Sequence, residues 1–505
     1  MNEIGSHDSI TILGINLNPD SLKSFFSKKR SNKMKFNLRK FGLGLGPVLF
    51  FLIMFMPTPD GMSDTAKGVF AISVWMIVWW ITEAIPIYAT ALLPIGLIPI
   101  LGILPLKEIA AEYMHPIIVL LLGMFMIALA IEKSGLHKKI AFELISLFGY
   151  SPKKIVWGFM ITTALISTVV MSTTVVLILL PIAGVILAAL SKTNYVATKF
   201  KVIFMLSIAY SSSIGSVATL IGAPPNLLYA ATVMEMFAHK VTFAEWSMLG
   251  VPLSVSMLVL CGVYMTTQIG KSNFETTSEI KRTLLLEKSK IGKITMEQIT
   301  VLAVLLGVMV LMFTMPLWQP ESSFITNSVI AILGGISLFV LPKTRSESLM
   351  NWAGIERLPY GLLFLLGGGF ALSLAFVDSG LANWIAHALA FVGDYPFEVV
   401  ILVLVAMIMF LTNVKSNTAT AAIFIPIVGT MAMLNNWTPL PVLFAITVAT
   451  SFAFLLPMGT PPNALIYEKA QIPIKAMMKH GMILNIMAIS LITTFTILVS
   501  TKILI

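Results

Sequence analysis

Residues 399–433 read VVILVLVAMIMFLTNVKSNTATAAIFIPIVGTMAM and decide how this chain folds. The stretch is apolar at both ends, and its centre is rich in serine, threonine and asparagine. Residues 155–190 have the same form, with a polar centre at 167–174. Each stretch is long enough for two helices that cross a lipid bilayer. Each also suits a re-entrant hairpin, which enters and leaves the membrane on one side and keeps its polar tip near mid-depth.

The composition places the rest of the chain in a membrane as well. Of its 505 residues, 57% are hydrophobic and 11% are charged, and the mean hydropathy is +0.93. Soluble domains carry roughly 25% charged residues, because their surfaces face water. The composition therefore excludes a cytosolic enzyme, a secreted disulfide scaffold and a disordered chain. The single cysteine, Cys261, also excludes disulfide frameworks and cysteine-based metal sites.

Apolar runs of membrane-crossing length recur along the chain after residue 40. Uninterrupted spans are predicted at 41–56, 69–81, 87–104, 117–131, 249–265, 299–315, 325–341, 360–377 and 482–499. Two further stretches, 201–230 and 442–467, are interrupted by the loops Gly222-Ala223-Pro224-Pro225-Asn226 and Gly459-Thr460-Pro461-Pro462-Asn463. Glycine and paired prolines cannot continue a helix, so each stretch should form two half-helices around an unwound loop. We expect Asn226 and Asn463 to brace these loops by bonding backbone groups.

The basic residues distinguish a hairpin from full crossings in the polar-centred stretches. A basic cluster at 28–40 predicts a cytoplasmic tail without a cleavable signal peptide. With eleven crossings and two hairpins, most of the 33 lysine and arginine residues fall on the side of this tail. If one hairpin were a single span, every loop after it would move to the opposite side of the membrane. The basic residues would then be divided between the two sides. We therefore predict an all-α polytopic membrane protein with eleven transmembrane helices and two re-entrant hairpins.

Two halves of the chain repeat each other. Ser134-Gly135-Leu136 recurs 245 residues later as Ser379-Gly380-Leu381, and Pro181-Ile182 recurs at the same offset as Pro426-Ile427. Counting spans gives the halves opposite orientations, which predicts an inverted repeat of the kind that places a substrate site near the midplane of secondary transporters. The predicted division is a basic tail at 1–40, a first half at 41–245 with the hairpin 155–190 and the broken helix 201–230, a linking helix and cytoplasmic loop at 246–298, and a second half at 299–505 with the hairpin 399–433 and the broken helix 442–467.

Three motifs in this sequence resemble the divalent anion/sodium symporter family, whose members carry succinate, malate, citrate and related anions. They are Trp79-Trp80-Ile81-Thr82-Glu83-Ala84-Ile85-Pro86, the tip Ser416-Asn417-Thr418, and the two proline-proline-asparagine loops. The resemblance spans about 41–502 and implies a homodimer in which a transport domain moves like an elevator against a scaffold domain. It also implies a Ser-Asn-Thr motif at both tips, which contacts substrate carboxylates and supplies two sodium sites.

The resemblance carries the family's site residues to the matching positions of this chain. For the substrate carboxylates and the loops beside them, these are Ser172, Thr173, Asn417, Thr418, Ser216, Thr460 and Pro461. For a residual cation site, they are Ser167, Gly215, Thr412 and Gly459. We expect no cofactor and no enzymatic activity, because the chain lacks an HExxH run, a GxSxG elbow and paired intramembrane aspartates.

The chain departs from the family pattern where sodium should lie. At the offset of 245, Met171 stands opposite Ser416 and Ser172 opposite Asn417, and a thioether is a poor ligand for sodium. At the second tip, Lys415 brings a fixed positive charge into the membrane, which is costly and indicates a function. We expect its ammonium to replace a bound cation, and we predict sodium-independent exchange of dicarboxylates of the succinate, malate and 2-oxoglutarate type. The alternative that stays open is a sodium-coupled dicarboxylate symporter of the same family.

The predicted surroundings of the protein follow from these assignments. We expect dicarboxylate anions and membrane lipid as partners, and a second copy of the chain in a homodimer. We expect no nucleic acid, because most of the basic residues behind the net charge of +10 lie on the cytoplasmic side and orient the chain in the membrane. Sodium is expected only under the symport alternative. The expected location is the bacterial plasma membrane, with the N-terminus in the cytoplasm.

Overall fold

The structure is a computed structural model that describes residues 11–12, 15–16, 32–149, 151–190, 194–269, 282, 286, 289, 292–318, 324–343, 347–356, 358–388 and 390–503. Most of the basic tail and of the predicted cytoplasmic loop lies outside these ranges. Regular structure within them is helical, apart from an isolated bridge between Pro342 and Ser348 and two short antiparallel strands, β1 (Thr11–Ile12) and β2 (Ile15–Asn16).

The helices fill almost all of the described chain, together with one 3₁₀ turn at Ala390–Asp394. In chain order they are α1 (Asn32–Phe55), α2 (Asp64–Thr82), α3 (Ile87–Thr90), α4 (Leu93–Ile100), α5 (Leu106–Glu112), α6 (Pro116–Lys133), α7 (Leu136–Phe148), α8 (Pro152–Ser167), α9 (Ser172–Leu190), α10 (Asn194–Ser216), α11 (Pro224–Phe237), α12 (Phe243–Thr267), α13 (Met296–Trp318), α14 (Asn327–Val340), α15 (Trp352–Ile355), α16 (Tyr360–Asp378), α17 (Leu381–Ala388), α18 (Phe397–Thr412), α19 (Asn417–Leu434), α20 (Pro439–Ser451), α21 (Pro461–Ala470) and α22 (Ile474–Ile503).

The apolar helices identify a membrane protein. Among the described residues, seven helices are long and apolar enough to cross a bilayer by length and composition, and shorter apolar helices accompany them. Only helices and closed barrels satisfy all backbone hydrogen bonds inside lipid. The predicted class, an all-α polytopic membrane protein, is confirmed. The count of eleven crossings and the elevator arrangement stay predictions.

The two polar-centred stretches fold as paired helices around short tips. The first pair is α8 and α9 with the tip at 168–171, and the second is α18 and α19 with the tip at 413–416. Both helices of the second pair begin 245 residues after their counterparts, and α18 also ends 245 residues after α8, so helix bounds keep the offset found in the motifs. Both pairs begin a few residues before the apolar runs do, because proline starts them, with Pro152 in the first turn of α8 and Pro396 as the N-cap of α18.

Three membrane stretches are interrupted helices. The chain leaves α10 at Ser216 and begins α11 at Pro224, and it leaves α20 at Ser451 and begins α21 at Pro461. The stretch 87–104, predicted as one span, is instead the two short helices α3 and α4, because Pro94 starts a new helix in its first turn. The prediction of an unbroken helix there is therefore wrong, and whether the stretch makes one crossing stays a prediction.

The interrupted helices α10 and α20 lie at the centre of the protein. Residues 203–216 and 441–451 of these helices are all buried, including Phe204, Tyr210 and Phe444, and the adjoining Phe454 is buried as well. A helix that is apolar all round belongs in an interior. The loops that break α10 and α20 are therefore surrounded by protein, which is where unwound backbone is tolerated at membrane depth.

Close helix packing at Gly215 leads to a stability prediction. A Cβ atom on Gly215 would lie 2.2 Å from the Ala164 carbonyl oxygen and 2.4 Å from the Ala164 Cα, so α8 and α10 would have to separate. We expect Gly215→Ala to lower the free energy of unfolding by about 1–3 kcal/mol, the usual cost of overpacking. Thermal unfolding of the purified protein measures this. Gly184→Ala is the control, since a Cβ there meets nothing within 4 Å, and equal melting temperatures for both variants would contradict the prediction.

Candidate functional site

A cavity of about 910 Å³ lies where the two hairpin tips meet the two broken helices. Four helices begin at its wall: α9 and α19 from the hairpins, and α11 and α21 after the broken loops. Helix N-termini carry partial positive charge, so the cavity favours an anion. The sequence-predicted residues that line it are Ser172, Thr173, Ser216, Lys415, Asn417, Thr418, Gly459, Thr460 and Pro461.

The two hairpin helices present uncapped N-termini to the cavity. Ser416 is the N-cap of α19 but makes no side-chain capping bond, and the residue before α9 is Met171, whose thioether is a weak acceptor. The first backbone N–H groups of an α-helix have no acceptor within the helix. The tips therefore offer two sets of amide donors, which suit two carboxylate groups.

The other two helix N-termini differ from these in chemistry. Helices α11 and α21 each begin with two prolines, Pro224-Pro225 and Pro461-Pro462, which have no N–H to donate. Their first turns keep the helix dipole and add an apolar wall, and all four prolines line the cavity. The cavity therefore combines donors at the hairpin tips with apolar surface at the loops.

Two asparagines hold the broken loops in shape. Asn226 Nδ2 donates to the carbonyl oxygens of Ser216 at 3.0 Å and Thr219 at 2.8 Å. Asn463 Nδ2 donates to the Ala453 carbonyl at 2.7 Å and, at 3.4 Å, to a second loop carbonyl. Both side chains are completely buried, and they satisfy carbonyls that the broken helices leave without partners. The predicted bracing role is confirmed.

The hydroxyl groups near the cavity have defined backbone partners. Ser172 donates to the Ser212 carbonyl at 3.2 Å, and Ser216 donates to the Ser213 carbonyl at 2.8 Å. Thr460 caps α21 by accepting the Asn463 amide hydrogen at 3.3 Å, which leaves its own hydroxyl hydrogen for another acceptor. In this arrangement the two serines present lone pairs to the cavity, and Thr460 can present a hydrogen.

Three oxygen atoms converge behind the second tip. The Thr412 hydroxyl lies 2.8 Å from Asn417 Oδ1 and 2.7 Å from the Thr450 carbonyl oxygen. A hydroxyl has one hydrogen and both partners are acceptors, so one of these contacts lacks a hydrogen. Rotation of the Asn417 amide or a bound cation would complete the set. The sequence did not indicate Thr450, because its contribution is a backbone carbonyl.

Three predicted cation-site residues do not line the cavity. Ser167, Gly215 and Thr412 are buried in the helices behind it, at the ends of α8, α10 and α18. Ser167 is completely enclosed, and its hydroxyl has no hydrogen-bond partner within the described part of the chain. Ser167 precedes Thr412 by 245 residues, so its hydroxyl is the polar group at the first tip that corresponds to the Thr412 hydroxyl at the second.

Lys415 connects the second tip to the end of α2. Its ammonium donates to the Ile81 carbonyl, and its side chain is half-buried in the cavity wall. Nearby, Arg39 Nε donates to the Ala84 carbonyl at 2.9 Å, so a second cation meets the same helix end. Glu83 is the C-cap of α2, where its left-handed backbone conformation, with φ of 50°, ends the helix. Sequence reasoning missed Arg39 as a cavity residue, since nothing local to position 39 indicates which carbonyl it reaches.

Comparison with known proteins places the chain among membrane transporters. The family model described as "Sodium:sulfate symporter transmembrane region" matches residues 42–504. A sodium-dependent dicarboxylate transporter from Staphylococcus saprophyticus is 35% identical over 481 residues, covering 93% of this chain and 92% of the relative. The protein of the same name from Staphylococcus aureus strain MRSA252 is 34% identical over 479 residues, covering 92% of each.

Two solved structures share the fold at low sequence identity. The Alcanivorax borkumensis YdaH transporter matches with a TM-score of 0.50 and 13% identity, covering 93% of this chain and 98% of the other. Neisseria gonorrhoeae MtrF matches with a TM-score of 0.55 and 14% identity, covering 90% of this chain and 94% of the other. The chain therefore belongs to the sodium:sulfate symporter family, the divalent anion/sodium symporters that its motifs resemble, and it is a membrane transporter and not an enzyme.

Proposed function

We propose that this protein transports dicarboxylate anions and binds them in the cavity between the hairpin tips. The observation that carries the proposal is the pair of uncapped helix N-termini, at Ser172 and Asn417, that both border the cavity. Each can hydrogen-bond one carboxylate, which suits a molecule with two such groups. The printed names of the staphylococcal relatives, which are dicarboxylate transporters, support the same substrate class.

The transport mode that we propose is sodium-independent exchange, with Lys415 in place of a bound cation. Lys415 lines the cavity and puts a fixed positive charge beside the second tip, whereas Met171 removes an oxygen ligand from the first. A lysine cannot dissociate with the substrate as bound sodium can, so the charge of the site changes by two units when the dianion leaves, and we infer that the loaded site is the one that crosses the membrane. Return of the site then requires a second dianion, which makes exchange obligatory.

The second candidate mode is sodium-coupled symport. It is favoured by the Asn417 and Thr450 oxygens, which lie 2.8 Å and 2.7 Å from the Thr412 hydroxyl oxygen. All three atoms are hard oxygen ligands of the type that sodium prefers. The relatives' names, which include the word sodium-dependent, favour it as well. Under this mode sodium is transported together with the dicarboxylate, and Lys415 does not replace a bound cation.

The remaining features of the proposal concern motion and surroundings. Gly135 and Gly380, related by the 245-residue offset, have φ of 71° and 78° and connect α6 to α7 and α16 to α17. Such left-handed glycine joints suit hinges between a scaffold and a moving transport domain. We propose an elevator-type homodimer in a bacterial plasma membrane with a cytoplasmic N-terminus. It contacts lipid, and it takes no organic cofactor and no nucleic acid.

The test of the proposed function is uptake of labelled succinate into proteoliposomes. With unlabelled succinate inside and no sodium on either side, we expect rapid uptake, and with empty vesicles we expect uptake at least about 10-fold slower. An amino acid or sulfate inside is the control and should not support uptake. Strict dependence on an inward sodium gradient, without need for internal dicarboxylate, would establish symport. Absence of succinate uptake under every condition would remove the dicarboxylate assignment.

A further inference from the structure

A second cluster of ionisable side chains lies outside the cavity-lining residues. It consists of Glu112 at the end of α5, His115 at the N-cap of α6 and Glu235 near the end of α11. One ligand atom from each lies within 4.8 Å of the others, and His115 Nε2 is 3.8 Å from Glu235 Oε1. Glu112 and His115 are close in sequence, whereas Glu235 follows His115 by 120 residues, so the fold has brought a second carboxylate to this pair.

The cluster contains a carboxylate oxygen for which the described residues supply no hydrogen-bond partner. Glu112 is 9% exposed, and its Oε2 is enclosed with no hydrogen-bond donor within the described residues. His115 Nδ1 accepts the Ile117 amide hydrogen at 3.3 Å, which requires that this nitrogen carry no hydrogen of its own. A buried carboxylate oxygen without a donor is costly, and a second carboxylate nearby adds repulsion. A bound cation would remove both costs.

We propose that Glu112, His115 and Glu235 form a binding site for a divalent transition-metal ion such as Zn²⁺. Two carboxylate oxygens and one imidazole nitrogen are a common ligand set for such ions, whereas sodium and magnesium prefer oxygen alone. Binding through Nε2 moves the ring hydrogen to Nδ1 and gives up the contact with Ile117, which is long for a hydrogen bond. The ring edge packs on Phe370 at 4.9 Å between centroids, which limits how far the imidazole can turn.

The cluster is partly exposed, and one of its helices also borders the cavity. The His115 and Glu235 side chains are 12% and 20% exposed, which leaves a path for a small ion to these two ligands. Glu235 lies near the far end of α11, whose first turn, Pro224-Pro225, lines the cavity. A metal held there ties α11 to the junction of α5 and α6. We therefore expect the ion to slow transport without competing for the substrate cavity.

The test is metal binding by the purified full-length protein after treatment with EDTA. With Zn²⁺ alone as the probe, we expect one ion per chain by equilibrium dialysis and a higher melting temperature. Glu235→Gln and His115→Asn should each weaken binding at least about 10-fold. Asparagine is a good N-cap, so His115→Asn keeps the start of α6 while it removes the imidazole. Glu235→Gln should not lower the melting temperature of the metal-free protein, because it removes a repulsive charge.

A nearby pair provides the matched control. His239 Nε2 lies 3.3 Å from Glu245 Oε1, but this pair is exposed and is not part of the three-residue cluster. His239→Asn should leave Zn²⁺ binding unchanged. The proposal is overturned if the wild-type protein binds no Zn²⁺ between pH 6 and 8, as for a cluster that holds only a proton. It is also overturned if Glu235→Gln lowers metal-free stability and leaves the Zn²⁺ affinity intact, as for a purely structural role.

Discussion

Replacing Asn417 with aspartate is expected to reduce dicarboxylate transport by about 100-fold or more. Asn417 is the first residue of α19, and its side chain lines the cavity. Aspartate has nearly the same shape but places a negative charge against an anionic substrate. At about 5 Å and an effective dielectric constant of about 20, each pair of unit charges repels by about 3 kcal/mol. About 2.7 kcal/mol corresponds to a factor of about 100.

The measurement is the initial rate of succinate uptake in proteoliposomes loaded with unlabelled succinate. Asn436→Asp is the matched control, because Asn436 is exposed just beyond the other end of α19 and its φ of 53° suits aspartate as well as asparagine. Control and wild type should transport equally, and all three proteins should elute as folded protein. Near-normal uptake by folded Asn417→Asp would show that this tip does not receive a carboxylate.

Local sequence features predicted the parts of the site that depend on helix breaks. Paired prolines begin a helix, so Pro224-Pro225 and Pro461-Pro462 located the start of the helix after each break. The unwound segments lie before these prolines, because the preceding helices already end at Ser216 and Ser451. An asparagine directly after the prolines can reach carbonyls of the preceding loop, which located the braces. The stretch 87–104 shows the limit, because hydropathy does not distinguish one span from two short helices.

Contacts between distant segments could not be predicted in this way. Lys415 and Ile81 are separated by 334 residues, and their contact depends on how the second tip packs against α2. The contact of Thr412 with Thr450 could not be predicted either, because Thr450 contributes its backbone carbonyl, a group that every residue has. Periodicity and residue type report which face of a helix is buried, but they do not report which other helix covers it.

Replacing Lys415 with alanine is expected to change the transport mode as well as the rate. The variant loses the fixed charge beside the second tip, so exchange in the absence of sodium should fall by about 10- to 100-fold, given about 3 kcal/mol for a unit charge pair at about 5 Å. The empty site of the variant carries one positive charge fewer than that of the wild type, so net uptake without internal substrate should rise relative to exchange. Sodium should then stimulate transport, because the oxygens of Thr412, Asn417 and Thr450 remain to bind it.

The ratio of exchange to net uptake distinguishes replacement of a cation by Lys415 from a purely structural role in positioning the second tip. Lys415 also bonds the Ile81 carbonyl, and loss of that contact alone would slow exchange and net uptake by the same factor. Lys415→Arg keeps a positive charge and a donor, so it should keep the wild-type ratio even if its rate falls. Lys107→Ala, on the exposed face of α5, should match the wild-type protein in both assays. An unchanged ratio in Lys415→Ala would mean that the ammonium positions the tip and does not replace a cation.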